Sequence, residues 1–146
     1  MIELFLIRHG LTEGNKKKRY IGRTDEPLCP EGLEQLSALS YPVLDNIFIS
    51  PMRRCVQTAR ILYPQARLHI IDDFRECDFG EFENRNYLEL ADNENYQKWI
   101  DSGGTLPFPG GESPKEELFW DSKEWYPAVY AVSVRERLWW SMAERL

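Results

Sequence analysis

From Ile2 to Ile7 the chain is an almost unbroken apolar run, and Ile47-Phe48-Ile49 and Leu68 to Ile71 repeat the pattern downstream. Short apolar runs without polar alternation predict strands buried on both faces, the habit of a parallel sheet. Between them the period lengthens. Leu33, Leu36 and Leu39 predict one apolar stripe of a helix opened by Pro30, and Cys55, Ala59 and Leu62 predict another. For the second helix, Ser50 is the expected N-cap and Pro51 the expected first residue. Residues 11–29, broken by Gly14, Asn15, Gly22 and Pro27, predict a loop, as do Gly103-Gly104 and Pro107 to Gly111. Glu81 to Ile100 is polar with some helical pattern, interrupted by Asn and Asp. No internal repeat or low-complexity tract is present. Alternating strands and helices predict an α/β fold: a three-layer, parallel-type sheet with helices on both faces.

Composition narrows the class without naming a function. The chain has 146 residues, 42 % hydrophobic and 29 % charged, which suits one globular domain with a real core. A net charge of −6 argues against nucleic-acid binding, and the one basic run, Lys16-Lys17-Lys18-Arg19, reads as a solvated segment beside a phosphate site. No apolar run is long enough to span a membrane, and the immediate strand-like start predicts no signal peptide. Cys29, Cys55 and Cys77 are odd in number and irregularly spaced, so they read as reduced thiols of a cytoplasmic protein rather than as a disulfide frame or a zinc site. No bound metal and no cofactor is expected. The oligomeric state is left open.

The candidate chemistry begins where the first strand ends. Arg8-His9-Gly10 stands at the C-terminal end of that strand, the edge where open α/β sheets bind ligands. An imidazole can attack phosphorus, a guanidinium can grip phosphate oxygens in a fork, and a glycine lets backbone approach the ligand. Three residues alone are a weak signal, since a histidine at a strand end is more often an ordinary surface side chain.

Five ordered stretches strengthen it. Leu6-Ile7-Arg8-His9-Gly10-Leu11-Thr12-Glu13-Gly14-Asn15 resembles the signature of the histidine phosphatase superfamily, which includes cofactor-dependent phosphoglycerate mutases. The resemblance continues through Gly22-Arg23-Thr24-Asp25, Pro27-Leu28 and Pro30-Glu31-Gly32, then Ser50 to Ala59, then Phe74 to Glu83, and ends in Pro109-Gly110-Gly111-Glu112-Ser113. It implies a phosphoglycerate mutase-like fold and a metal-independent phosphomonoesterase acting on a small phosphorylated metabolite. It also implies roles. His9 would be the nucleophile and Glu76 the acid that protonates the leaving oxygen and then activates water. Arg8, Arg54 and Asn15 would bind the phosphoryl oxygens, with Gly10, Ile21, Gly22 and Arg23 lining the substrate site. Arg53 would face solvent, and Ser113 would either cap a helix or touch substrate. Within the superfamily, Gly22 to Asp25 and Cys77 to Glu83 look most like small bacterial phosphatases such as α-ribazole phosphatases.

The pattern also departs from the family. A second histidine, expected in a late His-Gly motif, is missing, because the chain has two histidines and His69 lies in a strand upstream of Glu76. Residues 1–115 therefore read as the catalytic domain's N-terminal part, and 116–146 as an atypical tail holding seven of 19 aromatics and four of five tryptophans. A tryptophan-rich helix is one reading of that tail. The other is a shifted reading frame. With suitable synonymous codons, DNA encoding Leu138 to Arg145 also encodes Val-Val-Val-His-Gly-Gly-Thr two bases on, which resembles the missing strand and histidine motif. A tail read this way would pack irregularly and leave the chain poorly stable and nearly inactive. Two alternatives to the phosphatase stay open: a mutase-type phosphoryl transfer, and an inactive, truncated phosphate binder.

Overall fold

A computed structural model describes residues 3–113 and 131–135. The strands are β1 (Glu3–Leu6), β2 (Asn46–Ile49), β3 (Arg67–Ile70) and β4 (Ala131–Arg135); the helices are α1 (Glu13–Lys16), α2 (Pro30–Ser37), α3 (Arg53–Leu62) and α4 (Glu94–Asp101). The three predicted strands therefore all form, within a residue or two of their expected bounds, and α/β alternation holds through β3.

The sheet order is β1-β4-β2-β3. β2 and β3 pair in parallel, as the apolar runs predicted, but β4 runs antiparallel to both of its neighbours. Among the described residues β1 is thus an edge strand in an antiparallel pair, where its apolar run suggested a strand buried in a parallel sheet. The reason lies in the tail. Ala131-Val132-Ser133-Val134-Arg135 alternates and carries two β-branched valines, a strand-forming pattern. It corrects the reading of this part of 116–146 as helix or irregular chain. The segment pairs with β1 from Glu3↔Arg135 to Leu6↔Val132. The tail's tryptophans and the proposed frame-shifted stretch from Leu138 lie outside the described residues.

One face of the sheet is packed. Phe5, Ile7, Ile47, Ile49 and Leu68 meet Ala59, Leu62 and Tyr63 of α3 and its C-cap, with Leu44 and Tyr41 closing the cluster. Here the predicted α3 stripe holds, with Cys55 and Ala59 buried. The α2 stripe holds only at Leu36, which is 5 % exposed, whereas Leu33 and Leu39 are 39 % and 55 % exposed. The helix ends at Ser37, so Leu39 lies beyond it, and Leu36 alone reaches Gly10, where a Cβ would meet its Cδ1 at 2.7 Å.

A second cluster forms apart from the sheet. Phe82, Leu90, Tyr96, Trp99, Phe108 and Cys77 are buried together, with Tyr20 and Phe79 packed against them. The polar stretch 81–100 thus conceals an aromatic core. Its helix α4 is capped by the Asn93 side chain, which accepts from the Tyr96 N–H. Loop glycines permit the fold-back: Gly80 has φ +53°, and a Cβ there would stand 2.2 Å from the Pro109 carbonyl oxygen.

The N-terminus of α3 corrects another expectation. Met52, not Ser50, occupies the N-cap position, and it has no capping side-chain bond. Ser50 stays fully buried at the end of β2, and its Oγ accepts from the Met52 N–H at 3.4 Å. The cap function comes from a distance: the Asp25 carboxylate accepts from the Arg53 N–H at 2.7 Å. Such a partner across 28 residues cannot be read from local sequence.

Candidate active site

His9 follows β1 at its C-terminal end. Its Nδ1 lies 2.7 Å from the Gly10 carbonyl oxygen. A carbonyl only accepts, so Nδ1 carries the proton and the ring's lone pair sits on Nε2. Burial pushes the imidazole down from 6.5 to about 4; the Gly10 hydrogen bond opposes the shift, and the charges of Arg54 and Arg8 add to it. At neutral pH the ring is uncharged and nucleophilic. Its apolar surroundings include Ile7, Ile47, Cys55, Ala59, Leu62 and Tyr63, which line a hollow beside it.

The strand end is locked to α3. The Gly10 N–H donates to Thr58 Oγ1 at 2.9 Å, and that hydroxyl donates to the Arg54 carbonyl at 2.7 Å. Thr58, 4 % exposed, therefore sets the spacing between His9 and the helix that carries Arg54. Sequence reasoning gave it no role, although it stands within the stretch from Ser50 to Ala59 singled out above.

Arg54 is fully buried, and its neighbour Arg53 is exposed. A buried guanidinium is tolerated only with good partners. Two are backbone carbonyls: Nη1 donates to Thr24 O and Nη2 to Gly22 O, both at 2.9 Å. Its charge is felt at His9, so the two predicted site residues are brought together. Arg8 is exposed and acts on the same ring.

Glu76 enters from the segment after β3. The Arg75 guanidinium reaches Met52 Sδ at 3.9 Å, which sets this segment beside the start of α3, and Arg54 and Glu76 both act electrostatically on Cys55. Glu76 is half-buried, and its Oε1 accepts from the Cys77 N–H at 3.2 Å. A Cβ on Gly22 would lie 1.9 Å from the Cys77 carbonyl oxygen, so only glycine lets the 22–24 loop press against this segment.

Asn15 lies in α1 within a capping box: its N–H donates to Thr12 Oγ1, and its Oδ1 accepts from the Thr12 N–H at 3.3 Å. With Oδ1 engaged, Nδ2 is the end of the amide that can donate to an anion. Ile21 is buried against Gly14, where a Cβ would meet its side chain at 2.4 Å. Arg23 is exposed, and its Nη2 makes a salt bridge to Glu112, whose Oε2 also accepts from the Asp78 N–H. Burial pushes the Glu112 carboxyl up, but the Asp78 N–H and Arg23 hold it below its usual range. The motifs contained Glu112 without revealing these contacts. Ser113 ends the described loop, half-buried.

His69 stands outside this cluster. It lies on β3, stacks on Phe48 with ring centroids 4.9 Å apart, and meets Asn46 Oδ1 at 3.1 Å. The three cysteines are free and buried. Among the described residues Glu13, Cys29 and Glu31 form a grouping with metal-ligand spacing, but the Lys16 ammonium bonds both carboxylates, at 3.3 and 2.6 Å. Among the described residues no helix is long and apolar enough to cross a membrane.

Residues 4–117 match the family model of the histidine phosphatase superfamily (branch 1). The chain is 36 % identical over 106 residues to an adenosylcobalamin/α-ribazole phosphatase of Escherichia coli K12, covering 67 % of this chain and 52 % of that protein. Among solved structures, the α-ribazole phosphatase of Shigella flexneri superposes with a TM-score of 0.67 at 30 % identity, over 80 % of this chain and 61 % of that one. A phosphoglycerate mutase of Thermus thermophilus gives a TM-score of 0.59 at 31 % identity, over 77 % and 64 %. These are α/β folds of the phosphoglycerate mutase type, and the chain shares that fold. It spans little more than half the length of the curated relatives it matches.

Proposed function

Because the chain belongs to branch 1 of the histidine phosphatase superfamily, we propose that it is a metal-independent phosphomonoesterase working through a phosphohistidine on a small phosphate ester. The observation that carries this reading is His9: a ring held neutral, with its lone pair on Nε2, beside a buried arginine. In the proposed first step Nε2 bonds to phosphorus as the ester P–O bond breaks, and Glu76 gives its proton to the leaving oxygen. In the second, Glu76 takes a proton from water, whose oxygen displaces Nε2 and yields inorganic phosphate. Arg54, Arg8 and the Asn15 amide would hold the phosphoryl oxygens, where charge accumulates. Gly10, Ile21, Gly22 and Arg23 would shape the site for the ester group. A cytoplasmic setting suits such a substrate.

The second histidine donor expected of the family is not in this sequence, so turnover should be slow. A generic aryl phosphate tests hydrolysis directly. Turnover that persists in excess chelator, with a phosphorylated His9 trapped by acid-free quenching, is the expected result. Loss of activity in chelator with rescue by one divalent ion would remove the metal-independent mechanism. Phosphoglycerate isomerised faster than it is hydrolysed would favour a mutase instead, the reading to which the Thermus thermophilus neighbour lends weight. Phosphate binding without any turnover would leave a binding protein.

A further inference from the structure

Glu83 makes more contacts to the site loop than any role assigned above requires. Its carboxylate accepts from the Gly22 N–H at 3.1 and 3.3 Å, the Arg23 N–H at 2.8 Å, the Thr24 N–H at 3.3 Å, Thr24 Oγ1 at 2.5 Å and the Phe79 N–H at 3.2 Å. Three successive backbone N–H groups thus converge on one anion, a nest-like arrangement filled by a side chain of the protein itself.

The other side of the same loop holds Arg54. Gly22 O and Arg23 N belong to one peptide unit, which is planar and trans, so its carbonyl and its N–H point in opposite directions. Glu83 grips the N–H end and Arg54 Nη2 the carbonyl end, at 2.8 and 2.9 Å. A rigid plate therefore transmits the position of Glu83 to the guanidinium. The charge-assisted bond on one end also polarises the amide and makes its oxygen a better acceptor at the other. Thr24, bonded to Glu83 through both its N–H and its hydroxyl, presents the second carbonyl to Nη1.

We propose that Glu83 is a positioning residue of the phosphate site, setting the Arg54 guanidinium through the Gly22–Thr24 loop. The proposal rests on the reading of Arg54 as a phosphoryl-oxygen donor. It also gives a use to the tie between the aromatic-rich segment and this loop: Glu83 follows the buried Phe82, so the aromatic core anchors the loop that holds Arg54.

The test uses the full chain labelled with ¹⁵N-arginine. In Glu83→Gln one carboxylate oxygen becomes an NH₂ that cannot accept. The Arg54 guanidinium hydrogens should then exchange with solvent roughly tenfold faster, and the affinity for orthovanadate should fall roughly tenfold. On an Arg54→Lys background, Glu83→Gln should weaken orthovanadate binding little further, because the two residues act in series. Thr24→Val, which removes one donor and keeps the fold's volume, should shift both readouts in the same direction by less. Unchanged guanidinium exchange in Glu83→Gln, or in Thr24→Val where Glu83→Gln does not fold, overturns the proposal. So do fully additive losses in the double variant. Orthovanadate binding that is indifferent to Arg54→Lys overturns it through the site reading, and the exchange measurement then tells the two failures apart.

Discussion

Among the described residues the two larger hydrophobic centres are of opposite character. The sheet and α3 build one mainly from aliphatic side chains, and residues 77–108 with Tyr20 build the other mainly from aromatic rings. The aromatic centre is closed. Phe82 is fully buried and meets Tyr20, Tyr96, Trp99 and Phe108 at centroid distances of 5.2–6.2 Å, mostly edge to face. Among the described residues the sheet is closed on one side only. Its other face carries Leu4 and Leu6, 47 % and 56 % exposed, with Phe48 on the same side through their shared partner strand. The proposed nucleophile, His9, stands at the end of the half-open centre, while Glu83, next to the buried Phe82, and Glu112, just past the aromatic centre, bond to the Gly22–Thr24 loop. Under the proposed function, the difference would divide chemistry from stability: the sheet end would present the reacting groups, and the aromatic lobe would brace them.

The division predicts that changes at the sheet end act on chemistry before stability. His9→Ala should abolish turnover and the phosphoenzyme together while leaving the thermal transition in place; a surviving phosphoenzyme would move the nucleophile elsewhere. Glu76→Gln keeps shape and hydrogen bonding but cannot deliver a proton, so turnover should fall about 10²–10⁴-fold with orthovanadate binding retained. An unchanged rate on esters with poor leaving groups would remove Glu76 from the mechanism.

The aromatic lobe should respond in the opposite way. Phe82→Ala leaves a cavity among four rings and should lower unfolding free energy by about 3–5 kcal/mol in denaturant titrations. A loss below about 1 kcal/mol would mean that the lobe contributes little and that the sheet stands alone.

A smaller effect follows from pH. The folded His9 value, about 4, lies below the unfolded 6.5, so between these values the unfolded chain binds a proton that the native state declines. Stability therefore falls as pH drops through that window, by no more than about 3 kcal/mol from this group. His9→Asn should flatten that part of the curve. The acid limb of any turnover should likewise lie nearer pH 4 than 6.5, and a limb at 6.5 would show that the ring is not desolvated.

The smallest effect belongs to the open face. Leu6→Ser, at a side chain already 56 % exposed, should change stability by less than about 0.5 kcal/mol. A loss of several kcal/mol there would show that this face is covered in solution and that the sheet, like the aromatic lobe, is closed on both sides.

Much of the sheet was legible because strand formation is a local matter. Ile47-Phe48-Ile49 and Leu68 to Ile71 declare themselves by composition, and Arg8-His9-Gly10 by its place after such a run. The aromatic lobe was not legible. Its rings are spread over Phe79, Phe82, Tyr96, Trp99 and Phe108 among polar residues, without a helical or strand period. Strand β4 was missed for another reason: five alternating residues in a tryptophan-rich tail give a weaker signal than the composition around them.

By itself the sequence determined the family and the α/β alternation and singled out the candidate reactive groups, because each depends on residue type and order along a short stretch. The tertiary structure decided how those groups behave. Burial, not the Arg-His-Gly triplet, makes His9 neutral, and the Gly10 carbonyl selects its tautomer. Asp25 caps a helix 28 residues away, Thr58 spaces Gly10 from Arg54 across 48, and Glu83 grips a loop 59 to 61 residues earlier. Hydrogen bonds and desolvation depend on distance in space, and chain positions so far apart acquire that distance only on folding.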